Sequence, residues 1–408
     1  MIYRTYAARR ALTAPIYGFA SMSTAAWRFL PQPLASSPPG LAARAVCETM
    51  SAARLTHERP PFGIDVVPVG GNVVAVREES VQATPFGTLV HFAKELAERQ
   101  PRVLVLPGLA GHFSTLVRET VRTLLPDHDV YIADWHNARD IPPNEGRFGF
   151  EEYIGHIIDF LEAMGPGAHL MAVCQPCPAA LAAAAIMADD GNPAQPQSLV
   201  LMAGPVDARI NPGPVNAFAG RQSLRMLERT VIMTVPPPYR GAGRRVYPGF
   251  LQVGGFMSMN PRRHVSAFVG LFRDTLRGNE PAAQRTKDFY EEYFAVLDLT
   301  AEFYLETSRA VFMDHDLARG RLRWRGRLVD PAAITSALLT VEAENDELCP
   351  PGQTLAAHDL CTGIPPSRKR HHLQPGVGHY GVFSGTRFEQ EIYPEIRRAI
   401  ASAEAVAA

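Results

Sequence analysis

Three short segments hold side chains able to attack, deprotonate and orient. The run HLMAVCQPCPAALAAAAIMA reads as a buried strand ending at Cys174, followed by an alanine-rich helix expected to begin near Pro178. A nucleophile on such a strand–turn–helix elbow sits on a sharp turn, where small neighbours let strand and helix approach. Ala172 and Pro176 stand where glycines usually flank that nucleophile, so the pattern is imperfect. The helix would turn its positive end toward Cys174 and favour a thiolate. The second segment, LLTVEAENDELCPP, is a strand ending in acids; Asp346 lies beyond the apolar run and just before Pro350-Pro351, which favours it over Glu342 and Glu344. The third, LQPGVGHYGVFSG, sets His379 in a loop where Gly376, Gly378 and Gly381 leave the imidazole room to reach an elbow. Nucleophile, acid and histidine follow in the order this arrangement requires, and the chemistry would be acyl transfer through a covalent cysteine intermediate.

Acyl transfer also needs two N–H groups aimed at the developing oxyanion. Gln175, next after the nucleophile, is expected to supply one, and Leu109, in PGLAGHF after the strand VLVLPG, the other. His112 in that loop is a candidate for the pocket wall or for a structural role. The bland reading of Cys174 is a buried small hydrophobe at a strand end. Cys177 completes a C-x-x-C that could be a redox pair or half of a zinc site, but no second C-x-x-C occurs. Asp134 and Trp135 read as architecture, and His371 and His372 as surface residues.

The elements that must position these residues follow from periodicity. Apolar runs at IDVVPV, NVVAVREE and TLVHFAK open as antiparallel strands; VLVLPG, VYIADW, HLMAVC and LVLMAG then alternate with helical segments, the signature of a buried parallel sheet. The strand rhythm stops after Asn211 and resumes at ALLTVEAEND, RHHLQP and a last helix from Phe388 to Ala403. The expected organisation is a helical N-terminal extension (1–62), a hydrolase core in two parts (63–210 and 332–408) and a helical cap insertion (211–331): an α/β-hydrolase fold with a mostly parallel central sheet. Aromatic residues of the cap, Phe250, Phe256, Tyr290 and Phe294, are candidates for the wall of an apolar channel.

Acidic and basic residues nearly cancel, leaving a formal charge of −1, which argues against nucleic acid as a partner. Five cysteines spread through a long chain fit a reducing compartment. The arginine-bearing start superficially resembles a transit peptide but lacks the apolar run of a secretory signal, and no stretch is apolar enough to span a membrane. At helical spacing Tyr3, Ala7, Leu12, Ile16, Phe19 and Met22 form one apolar stripe, expected to pack on the hydrolase core, with attachment to a hydrophobic partner as the alternative.

Taken together, AVCQP with its alanine-rich helix, PGLAGHFSTLVRETVRTLLPDHDVYIADWHNAR, the NDELCPP loop, PGVGHYGVFSG and the opening MIYRTYAARRALTAPI resemble the intracellular poly(3-hydroxybutyrate) depolymerases over nearly the whole chain. The resemblance implies a cytoplasmic, granule-associated enzyme hydrolysing amorphous polyester, with Cys174 as nucleophile, Asp346 as acid and His379 as base, and with no metal or organic cofactor. Cys177-Pro178 departs from the expected pattern. The rivals are a polyhydroxyalkanoate synthase, whose elbow would carry glycines on both sides of the cysteine, and a granule-coating protein with a vestigial site.

Overall fold

The computed structural model describes residues 2–96, 98–213 and 222–407. Residues 214–221, within the segment expected to form the cap, lie outside the described residues. The chain enters through two helices, α1 (Ile2–Ala26) and α2 (Pro38–Ala52), the second started by Ser37, whose side chain accepts from Gly40 N. Strand β1 (Val66–Val69) turns into β2 (Asn72–Ala83) through Gly70 and Gly71, both at positive φ, which a two-residue hairpin turn requires. β3 (Gly87–Lys94) completes the antiparallel opening.

From β4 (Arg102–Leu106) onward strands alternate with helices. These are β5 (Asp129–Trp135), β6 (Ala168–Val173) and β7 (Ser198–Met202), with α3 (Arg118–Leu124), α4 (Phe150–Met164) and α5 (Cys177–Asp189) between them. β6 and β7 are buried at every position, because helices cover both faces of the sheet and no face needs polar residues. The chain leaves the sheet after β7 and returns as β8 (Ala337–Ala343) and β9 (Lys369–Gln374), ending in the C-terminal helix Tyr393–Ala407.

The nine strands lie in the order β1-β2-β3-β5-β4-β6-β7-β8-β9, antiparallel as far as β5 and parallel from there on. This is the α/β-hydrolase fold, with a mostly parallel central sheet. In sheets of this kind ligands bind at the carboxyl end of the parallel strands, where connecting loops converge.

Between β7 and β8 lie three long helices, α6 (Gly249–Met259), α7 (Pro261–Leu276) and α8 (Glu280–Tyr293), with a small sheet made by Met233–Thr234, Arg245–Tyr247 and Leu299–Thr300. The insertion is therefore not purely helical. Its residues 295–297 tie it to the core: Val296 bridges His112, and Leu297 N donates to Gly111 O.

The two helices of the N-terminal extension pack on this cap rather than on the sheet, which only the end of the extension reaches, through Phe62 against Phe92. α2 lies against α7 and α8, and α1 against α2. The Tyr3 hydroxyl donates to Asp298 at 2.5 Å, and Asp298 also receives Gly249 N at 2.9 Å. The expected single apolar stripe of α1 is divided: Tyr3 is buried, while Leu12, Ile16, Phe19 and Met22 are exposed.

Candidate active site

Cys174 ends β6 with φ +70°, a left-handed conformation rare for a residue with a Cβ. The strain is held from both sides. Cys174 N donates to Met202 O at 2.7 Å on the neighbouring strand, and Cys177 N returns to Cys174 O at 3.2 Å as α5 begins. The close approach expected from glycines flanking the nucleophile is provided elsewhere. A Cβ on Gly204, just past β7, would fall 2.2 Å from Cys177 Sγ and 2.6 Å from Cys174 O. Gly204 thus leaves room for the Cys177 side chain and the Cys174 carbonyl at the turn. Cys177 is fully buried, its thiol directed at Ala172 O, and burial pushes its pKa up, which makes it an inert packing group.

Asp346 and His379 meet because their strands are parallel neighbours. Ala343 pairs with Gln374 at the ends of β8 and β9, and the ladder continues into the loops through Glu344 N to Gln374 O and Asn345 N to Val377 O. Both loops thus leave the sheet side by side. Asp346 Oδ2 accepts from His379 Nδ1 at 2.7 Å, while Oδ1 accepts Leu348 N and Cys349 N, each at 2.8 Å. The carboxylate is buried and fully used. Cys174 lies close enough to the imidazole to act on its charge. Burial opposes a charge on His379, but Cys174 and Asp346 outweigh it, and its pKa is pushed up to about 10.

The other acids do different work. Glu342 is buried and accepts Gly352, Thr354 and Leu355 N, closing the turn after Asp346. Glu344 accepts Gly376 N at 2.8 Å and steadies the histidine loop. Asp134 is buried between Ser114 and Arg59, as an architectural residue would be.

The loop after β4 lies over the elbow, with a Cβ on Gly108 falling 3.8 Å from Cys174 Cβ. Leu109 N, one of the two expected oxyanion donors, is occupied by the side chain of the other residue: it donates to Gln175 Oε1 at 3.3 Å. Gln175 Nε2 has no partner among the described residues.

A cavity of about 210 Å³ opens between the cap and the loops that carry Asp346 and His379, with His379, Tyr380, Phe256, Phe289, Tyr293 and Arg263 in its wall; Cys174 itself does not line it. Of the wall candidates, Phe256 lines it and His112 stands just behind, stacked on Phe256 and tilted against Tyr293. Burial pushes the His112 pKa down to about 4, against hydrogen bonds with the Tyr293 and Ala110 backbones, so the ring is neutral at pH 7. Tyr290 and Phe294 do not line the cavity. They pack inside the cap against Phe268, and the Tyr290 hydroxyl bonds His264 Nδ1 at 2.9 Å. Phe250 is elsewhere, stacked on Tyr6 at 3.9 Å under the N-terminal helix. In FYEEYF the cavity-facing pair is Phe289 and Tyr293, one position before the chosen pair. Both pairs keep i,i+4 spacing, and the pattern does not tell which of the two faces points inward.

Residues 203–404 match the family model described as the PHB de-polymerase C-terminus. Over 148 residues the chain is 26% identical to the poly(3-hydroxyalkanoate) polymerase subunit PhaC of Haloferax mediterranei, a match covering 36% of this chain and 29% of that protein. The chain thus spans less than a third of the length of that curated relative. Among solved structures it is similar to a monoacylglycerol lipase of Paleococcus ferrophilus (TM-score 0.46, 13% identity, 75% of this chain and 96% of that one). It is also similar to a thermophilic esterase of Thermogutta terrifontis (TM-score 0.42, 17% identity, 79% and 98%).

Proposed function

We propose that this protein is a thiol-dependent depolymerase that hydrolyses the ester bonds of amorphous poly(3-hydroxybutyrate) at granule surfaces. The observation that carries the reading is the imidazole of His379, bonded to a buried carboxylate and set beside a thiol on a strained elbow. The match of the C-terminal half to a depolymerase model supports the substrate class.

In this reading the Cys174 proton has passed to His379 before substrate arrives, and the thiolate, facing the N-terminus of α5, attacks an ester carbonyl. The Gln175 side chain swings off Leu109 N, and the N–H groups of Leu109 and Gln175 receive the oxyanion. Collapse of the tetrahedral adduct breaks the ester C–O bond, and the departing alkoxide takes the proton from His379. Acylation removes the Cys174 charge, the largest influence holding the imidazolium protonated, so His379 becomes basic enough to deprotonate water. Hydroxide adds to the thioester, the thiolate leaves, and a 3-hydroxyacyl acid is released. Asp346 holds Nδ1–H throughout, which keeps Nε2 toward Cys174.

The likeness to a polymerase subunit favours one second reading, acyl transfer to a growing chain in place of water. Two assays on purified protein decide. Release of 3-hydroxybutyrate from amorphous particles supports the depolymerase. Release of free CoA from 3-hydroxybutyryl-CoA with polymer growth, and no hydrolysis, supports the transferase. Inertness in both assays overturns both and leaves a coat protein.

A further inference from the structure

Between Ala11 and Leu30, every described residue that is exposed is apolar: Leu12, Ile16, Phe19, Met22 and Phe29, with smaller alanines and Pro15 among them. The polar residues of this stretch, such as Thr13, Ser21 and Thr24, are turned partly inward and satisfy themselves on backbone or on α2, as Ser21 does on Ser51 at 2.9 Å. The usual arrangement of a surface helix is inverted. Leu12, Ile16 and Phe19 are at least half exposed and spaced i, i+4, i+7, so they form one ridge facing away from the protein. A continuous apolar face of this kind marks an interaction surface.

The helix is not loose. Tyr3 and Tyr6 anchor its start on the cap through Asp298 and Phe250, Tyr6 also bonds His57 within the extension, and Ala20 is buried near the helix end. Fold stability therefore uses one side of α1 and leaves the other free. Charge identifies the occupant. Arg4, Arg9 and Arg10 lie on α1, which carries no acidic residue, in a chain whose formal charge is −1. A second copy of α1 would present arginines to arginines with no acid in the segment to pair them. An apolar surface bearing carboxylate chain ends, which is what a polyester particle presents to water, satisfies both the ridge and the cations.

We propose that the outward ridge of α1 is the adhesion surface that holds the protein on water-insoluble polyester. The inference rests on the depolymerase reading for the identity of that surface. α1 lies on α2, α2 on α7, and α7 lines the cavity, so adhesion through the ridge holds the cap side of the molecule near the particle.

The test is sedimentation of full-length protein carrying Cys174→Ala with amorphous poly(3-hydroxybutyrate) particles, comparing the native ridge with Ile16→Ser/Phe19→Ser. In a Cys174 background the same pair must leave hydrolysis of a soluble short ester and the urea midpoint unchanged, since neither side chain is buried. The expected result is particle binding weakened by about ten-fold or more, because two large apolar groups no longer leave water. Unchanged binding overturns the proposal. So does self-association in sedimentation velocity that the double substitution abolishes while particle binding persists, which would assign the ridge to a second copy. Ridge-dependent binding without polymer hydrolysis by native protein would uphold the surface and sink the depolymerase reading.

Discussion

Asp346→Asn changes one atom, and the structure determines where the new amide must point. Oδ1 accepts two backbone donors, Leu348 N and Cys349 N, while Oδ2 accepts only His379 Nδ1. Turning the amide so that oxygen faces the histidine would strand two buried N–H groups against an NH₂, at about 1–3 kcal/mol each. Its gain, one hydrogen bond to Nδ1–H, is about 1–2 kcal/mol. The oxygen therefore stays with the loop and the NH₂ faces Nδ1, which can then only accept. The imidazole carries its proton on Nε2 and no longer takes one from Cys174. A loss in kcat/KM on the order of 10²- to 10⁴-fold follows, with little change in the urea midpoint because both backbone bonds survive. The assay is hydrolysis of a soluble 3-hydroxybutyrate dimer ester, with Glu344→Gln as the control. The amide oxygen of that control still accepts from Gly376 N, so the variant should retain near-native rates. Folded Asp346→Asn with native kinetics, or a Glu344→Gln loss as large, would refute the reasoning.

Cys174→Ala should lower turnover by roughly 10³-fold or more with the fold intact, whereas Cys177→Ala, which empties a packed site, should cost about 1 kcal/mol in urea melts and spare activity. Equal kinetic losses would mean that the wrong thiol carries the reaction. His379 is held protonated up to about pH 10 by Cys174 and Asp346 against the cost of burial, so in Cys174→Ala its titration, followed by NMR of the ring protons, should move to lower pH. An unmoved titration would remove the thiolate from the site's electrostatics. Tyr3→Phe deprives buried Asp298 of a donor and should cost about 1.5–3 kcal/mol of stability, read by denaturant unfolding; no change would show that α1 is not anchored there.

Sequence alone was enough for the strands and for the order of the three chemical segments, because a sheet buried on both faces demands unbroken apolar runs. It also marked Asp346 over Glu342, since a residue beyond the last ladder position is free to face the histidine loop. Tertiary structure decided what depends on facing. Gly204 relieves the elbow from a neighbouring strand, so no motif around Cys174 could reveal it. Phe289 and Tyr293, not Tyr290 and Phe294, face the cavity, because helix spacing is the same for both pairs and only the position of α7 and the core loops separates them. The apolar residues of α1 were legible as a stripe, but periodicity describes a helix's own symmetry and not which side its neighbours occupy. The contact of Tyr3 with Asp298, 295 residues away in the chain, chose the buried side and left Leu12, Ile16 and Phe19 in water.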